Sequence, residues 1–375
     1  MRLDDLLTPA LVIDQPRMTR NIDRMRERLS ALGVGFRPHV KTSKSIDVSR
    51  RLMPAPHGPI TVSTLKEAEQ FFAHGVTDVL YAVGIVPGKL AQVTDLRSRG
   101  CDLMVILDSV EAAAEVSAYC AQARCEIPAL IEIDSDDHRG GVKPDDDGLL
   151  DVAAALTRGA RLRGVMTHAG ASYDCRSTES IAAMAEQERA AVARAAKRLR
   201  GGGYDGGIVS VGSTPTATFA RSLPGVTEVR AGVFVFQDLV MAGLGVCSID
   251  DIALSVLVSV IGHQREKGWI ITDGGWMAVS RDRGTASQAV DQGYGLVLDA
   301  DGRLLDGLVM HGANQEHGLI SQRDKRPIDW ERLRVGERLR ILPNHACATA
   351  AQHADYHVVD GSREVIARWE RFGGW

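Results

Sequence analysis

Three short stretches set reactive side chains at spacings that suit chemistry. "RPHVKTSK" (37–44) gathers His39, Lys41 and Lys44 with no acidic residue among them. Such a cluster is a solvated basic loop, an anion clamp, or the setting of one lysine whose amine is made nucleophilic. "VGSTPT" (211–216) places Gly212, Ser213 and Thr214 ahead of a helical pattern. That is either a turn with a helix cap, or a site where hydroxyls and backbone N–H groups hold an anion. "LPNHACATAAQH" (342–353) puts His345 and Cys347 two residues apart, which on a strand turns both to one face. Imidazole with thiolate favours zinc over magnesium. Two donors do not close a structural site; they suit an ion completed by water or substrate. A core histidine beside a buried structural cysteine is the alternative.

The elements that must position these residues come in two grammars. Apolar, β-branched runs at 34–41, 59–64, 78–83, 102–107, 128–134, 163–169, 207–212 and 228–236 alternate with Ala-rich amphipathic segments. Eight strands, each followed by a helix, predict a (β/α)8 TIM-like barrel, with a doubly wound sheet as the alternative. After about residue 245 the pattern changes to strands joined by Gly, Asp and Asn turns, and "LDADGRL" signals a hairpin. The expected domains are a barrel over 20–245 and an all-β domain built from 1–19 and 246–375, "PALVID" supplying its N-terminal strand.

A barrel carries its functional residues at the C-terminal ends of its strands. Those ends hold His39, Lys41 and Lys44; Ser63 and Thr64; His138 and Arg139; His168 and Tyr173; Gly212, Ser213 and Thr214; and Arg230 with Gly232. Backbone N–H groups at Gly212 and Gly232 would complete a phosphate site after strands seven and eight. A phosphate site facing a lysine at the end of strand one points to pyridoxal phosphate held through a Schiff base. Other histidines carry less weight: His57, His74 and His263 fall in loops or helices, and His353 and His357 are surface or supporting residues. His311 and His317 flank "GANQEHG", a turn that either reaches a site or is solvated.

Composition narrows the partners. The chain has 375 residues, 45% hydrophobic and 25% charged, with a formal net charge of −4. That balance offers no footprint for nucleic acid or an anionic membrane and favours a small-molecule substrate. Six scattered cysteines read as reduced thiols of a cytoplasmic protein, and "MRLDDLLTPALVID" lacks the basic and apolar regions of a signal peptide.

"TPALVID", "RPHVKTSK", "TVSTLKEAE", "THAGASY", "VGSTPT", "EVRAGVFVFQD" and "LPNHACATA" together, and in this order, resemble the metal-dependent fold type III pyridoxal-phosphate enzymes. This is the D-serine dehydratase and D-threonine aldolase group, alanine-racemase-like in fold, and the likeness is greatest to the D-threo-3-hydroxyaspartate dehydratases. The resemblance covers essentially the whole chain. It implies that Lys41 is the Schiff-base lysine and α-proton base, and that His345 and Cys347 hold a divalent metal, zinc by preference. It also implies cofactor contacts from His39, Arg139, His168, Tyr173, Gly212, Ser213, Thr214 and Gly232. Arg230 either contacts the pyridine nitrogen or is a buried structural arginine. The motif departs from the commoner form at Ser43, where most of the group carry histidine. The implied reaction is dehydration of a D-3-hydroxy amino acid, with D-threo-3-hydroxyaspartate giving oxaloacetate and ammonia; D-serine dehydration and D-threonine aldol cleavage are the alternatives. The implied assembly is a head-to-tail homodimer.

Overall fold

The computed structural model describes every residue except Lys325. The chain divides into two compact units, Met25–Gly232 with Gly374–Trp375, and Met1–Arg24 with Val233–Gly373.

The strands, in chain order, are Ala10–Asp14 (β1), Gly35–Phe36 (β2), Ile60–Val62 (β3), Asp78–Gly84 (β4), Asp102–Leu107 (β5), Ile127–Ile133 (β6), Ala160–Thr167 (β7), Ile208–Val211 (β8) and Glu228–Val229 (β9). They continue as Leu254–Gln264 (β10), Trp269–Thr272 (β11), Leu296–Asp299 (β12), Leu304–Ala313 (β13), Gly318–Gln322 (β14), Arg338–Leu342 (β15), Asp355–Val359 (β16) and Val365–Glu370 (β17).

In the first unit β2 to β9 form one sheet of eight parallel strands, in the order β2-β9-β8-β7-β6-β5-β4-β3. The two ends meet: the Val40 N–H donates to the Thr61 carbonyl at 2.9 Å, and the Thr61 N–H donates to the Pro38 carbonyl at 2.8 Å. The sheet is therefore the barrel that the strand count implied. β6, buried at all seven positions, is apolar except at Glu132 because a parallel strand in a barrel faces side chains within and helices without. Leu80, Met104, Ile106, Leu130 and Met166 form one cluster of the barrel's core. Each of the first seven strands is followed by a helix. The longest, Thr178–Gly201, is capped by the Ser177 hydroxyl, which accepts the Ser180 N–H, and ends on Arg198 and Arg200.

Two expected strands are much shorter. The run 34–41 is regular only over β2, with a bridge at His39, and 228–236 only over β9. Beyond Val229 the chain turns into a single 3-10 turn at Val233–Val235, because Arg230, Ala231 and Gly232 already sit past the neighbouring strand's end.

In the second unit β1 and β10 to β17 form a nine-stranded sheet in the order β11-β14-β13-β12-β15-β10-β1-β16-β17. "PALVID" joins it as expected, antiparallel to β10 and parallel to β16. The "LDADGRL" hairpin forms between β12 and β13, with Gly302 at φ +80° closing the turn. The unit is not purely β. Short helices at Leu239–Gly243, Trp276–Val279 and Ala346–Ala350 lie between its strands. Residues 233–245 belong to this unit, where the Leu239 and Val240 N–H groups donate to the Pro343 and Asn344 carbonyls. Among the described residues, no helix is long and apolar enough to cross a membrane.

Candidate functional site

The barrel unit assembles its site through register. β7 pairs Met166 with Ser210 of β8, which in turn faces Glu228 of β9. The same register carried past the strand ends sets His168 beside Gly212 and Gly212 beside Arg230. On the other side the His39 N–H donates to the Ala231 carbonyl at 2.9 Å, which brings the lysine motif against Gly232. A Cβ at Gly232 would lie 2.7 Å from the His39 carbonyl oxygen and 3.0 Å from the Thr42 hydroxyl, so only glycine allows this approach. Gly212, at φ +138°, would drive a Cβ into the Arg230 carbonyl at 2.0 Å.

Lys41 is exposed, on the turn that follows His39. Lys44 takes the left-handed conformation, φ 44°, and its ammonium lies 2.9 Å from the buried Glu67 carboxylate. Glu67 also accepts the Ser63 N–H at 2.9 Å, while Thr64 caps the helix Leu65–Ala73. The two lysines are thus distinct: Lys44 ties its turn to the helix Leu65–Ala73, and Lys41 is exposed. Ser43 is buried between them.

Two histidines flank this point and both are neutral. Burial first, then the charges of Lys41 and Arg230, hold His39 well below the ordinary imidazole range. For His168 burial lowers the pKa to about 3, against the opposing hydrogen bond with Gly212. His168 Nδ1 sits 2.9 Å from the Gly212 carbonyl, so Nδ1 carries the proton and Nε2 the lone pair. Tyr173 ends the 3-10 turn Gly170–Tyr173, its ring centroid 6.4 Å from that of His168.

Arg230 is 3% exposed, and its guanidinium donates to the Ser210 hydroxyl and the Thr167 carbonyl, each at 2.5 Å. Both terminal nitrogens are therefore engaged by the barrel's own strands. Arg139 is largely exposed and pairs with Glu132 at 2.9 Å. Ser213 caps the helix Thr214–Phe219: its hydroxyl accepts the Thr216 N–H at 3.2 Å and lies 3.0 Å from that of Ser172. Sequence reasoning missed Glu188. This buried carboxylate on the helix Thr178–Gly201 accepts the N–H groups of Ala169 and Gly212, both at 3.0 Å. It pins the turns after β7 and β8 together, and no motif around it announced the role.

The sheet unit carries the second constellation. His345 and Cys347 are not on a strand. His345 (φ −135°, ψ 107°) is the cap residue of the helix Ala346–Ala350, and Cys347 lies in its first turn. The two side chains meet across a strand-to-helix junction, not along one strand face. Asn344 holds the junction from behind, accepting from the Thr285 hydroxyl at 2.5 Å and donating to the Gly293 carbonyl at 2.8 Å. His345 Nδ1 donates to Asp282 Oδ2 at 2.7 Å, which leaves Nε2 as the donor for a metal. Burial disfavours the imidazolium, but the Cys347 thiolate and the Asp282 carboxylate outweigh it and raise the pKa to about 11. An imidazole fixed by a carboxylate beside a thiol is a donor set that suits a divalent cation. Among the described residues no group of three or more His, Cys, Asp or Glu side chains is arranged to hold a metal.

The remaining histidines are elsewhere. His263 lies on β10 and not in a loop or helix, its Nε2 2.7 Å from the Leu333 carbonyl. His353 Nε2 approaches the Ala278 carbonyl at 2.9 Å, and His317 is exposed.

Comparison with known proteins agrees with this architecture. Residues 13–239 match the family model for the alanine racemase N-terminal domain, and residues 253–359 match the putative serine dehydratase domain. The chain is 54% identical to D-threo-3-hydroxyaspartate dehydratase of Delftia sp. (strain HT23), over 98% of each chain. It is 29% identical to D-serine dehydratase of Dictyostelium discoideum, covering 100% of this chain and 98% of that one. A solved D-threo-3-hydroxyaspartate dehydratase, a cysteine-to-alanine variant in its metal-free form, superposes with a TM-score of 0.97 at 54% identity over 100% of both chains.

Proposed function

The chain belongs to the alanine-racemase-like, fold type III pyridoxal-phosphate enzymes, and from that membership we propose that it is a metal-dependent dehydratase of D-3-hydroxy amino acids. The substrate we assign is D-threo-3-hydroxyaspartate, converted to oxaloacetate and ammonia. The observation that carries the reading is the presence in one chain of an exposed lysine at a barrel strand end and a carboxylate-oriented histidine–cysteine pair. Identity of 54% along the full length of a dehydratase supports it.

Lys41, His168, Tyr173 and the backbone around Gly212 and Gly232 are the residues that would hold pyridoxal phosphate; His345 and Cys347 would hold the metal, zinc by its donor types. When bound, the cofactor supplies an electron sink for charge at the substrate's α-carbon, and the metal supplies Lewis acidity toward a departing oxygen. The chain's own residues do the rest. Lys41 Nζ is the exposed base that takes the α-proton. His39 and His168 remain neutral beside it, so they neither compete for that proton nor add positive charge. Glu188 keeps the turns bearing His168 and Gly212 in register, and Asp282 keeps His345 in the tautomer that binds metal through Nε2. Loss of the β-hydroxyl and the α-hydrogen releases water and an enamine, which tautomerises and hydrolyses to the 2-oxo acid and ammonia. We assign the working form as a cytoplasmic homodimer; six free cysteines favour a reducing compartment.

The test compares D-threo-3-hydroxyaspartate, D-serine and D-threonine as substrates, measuring 2-oxo acid, ammonia and glycine. Oxaloacetate from the first, lost on chelation and restored by Zn2+, is the expected result. Glycine with an aldehyde as the main product overturns the dehydratase reading, and a D-serine preference of an order of magnitude overturns the substrate.

A further inference from the structure

We infer that Asp238 is a positioning residue for the His345–Cys347 pair: by holding the Ala346 amide it sets how the two donors face each other, and so the affinity for a divalent cation. The inference rests on the reading above that this pair holds the metal.

Asp238 is 1% exposed, and both of its carboxylate oxygens are committed. Oδ1 accepts the Met241 N–H at 2.9 Å, capping the helix Leu239–Gly243. Oδ2 accepts the Ala346 N–H, also at 2.9 Å. A cap alone needs one oxygen, and Ser, Thr or Asn provides it without a charge. The second contact falls on the one residue between the two donors. Ala346 opens a helix, where N–H groups have no intrahelical acceptor, and His345 before it is extended. The amide joining them is the point where the chain changes direction, so fixing it fixes the relative direction of the side chains on either side.

The same segment is held twice more from Asp238's own helix, by the Leu239 N–H on the Pro343 carbonyl at 3.1 Å and the Val240 N–H on the Asn344 carbonyl at 3.2 Å. Together with Asp282 on the His345 ring, two carboxylates that need not bind metal surround two donors. A carboxylate this deeply buried is costly unless fully hydrogen-bonded and charge-compensated, and a dication at the adjacent pair supplies that compensation.

The experiment measures Zn2+ binding to the full-length, cofactor-loaded protein, stripped of metal and titrated against a fluorescent zinc chelator. Asp238→Asn retains the side chain's volume and one acceptor but loses the charge and cannot accept both N–H groups. Asp238→Asn and Asp238→Ala are expected to weaken zinc binding about 10- to 100-fold. Circular dichroism of the metal-free Asp238→Asn protein should still report the wild-type fold, since asparagine is itself a competent cap. Zinc affinity equal to wild type in folded Asp238→Asn overturns the inference, and that variant decides the matter alone if Asp238→Ala fails to fold. A wild-type protein that binds no zinc overturns the metal reading and this inference with it.

Discussion

Lys41 and Lys44 share a motif but face different surroundings, and on the proposed reading the first carries chemistry and the second support. Lys44 is committed to Glu67, whereas Lys41 stands exposed between two neutral histidines. The expectation for Lys41→Ala is loss of covalent cofactor attachment, read by borohydride reduction and mass spectrometry. Turnover should fall by roughly a hundred- to ten-thousandfold, the span usual for a removed general base. Retention of cofactor on a different lysine with turnover intact would remove Lys41 from the mechanism. At this scale the reactive types were legible: a lysine without acidic neighbours, and a histidine two residues from a cysteine. Their orienting partners were not. Asp282 lies 63 residues from His345 in sequence, and Glu188 is 24 from Gly212, and neither stands in a motif. Carboxylates occur throughout the chain, so type alone cannot single these out.

Strand ends and turns decide where those residues point. The turn bearing the lysines is fastened at Lys44 by an ion pair with a buried partner, Glu67 being 2% exposed at its side chain. Removing one member of such a pair leaves the other charged and without compensation. Lys44→Met is therefore expected to lower stability by about 3 kcal/mol in urea unfolding. An unchanged midpoint would show the pair to be solvated. Elements were partly visible from pattern: the apolar runs of β4 to β8 and the long capped helix Thr178–Gly201 stand close to where periodicity placed them. The runs 34–41 and 228–236 misled, because apolar and β-branched residues also line turns that pack into a core. Val233, Phe234 and Val235 are buried without being a strand. The His345–Cys347 spacing misled in the same way: alternation predicts a shared strand face, whereas the pair meets across a helix start.

For the whole molecule, the neutral histidines tie stability to pH. Unfolded imidazole has a pKa near 6.5, while His168 in the fold is lowered to about 3 and His39 lies well below its ordinary value. Above about pH 6.5 neither state binds the proton and nothing is lost. As pH falls below that, the unfolded chain takes up protons that the fold excludes, so stability declines by about 1.4 kcal/mol per pH unit for each such group. Denaturation midpoints between about pH 5 and 6.5, where most carboxylates remain ionised, should fall with acidity. The decline should be shallower in His168→Gln, and equal slopes in the two proteins would rule out a neutral buried His168. Local periodicity carried the barrel and the second sheet with its borrowed N-terminal strand, while residue type marked the lysine and the histidine–cysteine pair only as candidates. Which charges face them depends on contacts between segments far apart in the chain. Lys44 meets Glu67, His345 meets Asp282, and Glu188 and Asp238 lie beneath backbone turns, because strand register and buried hydrogen bonding join residues that no local pattern connects.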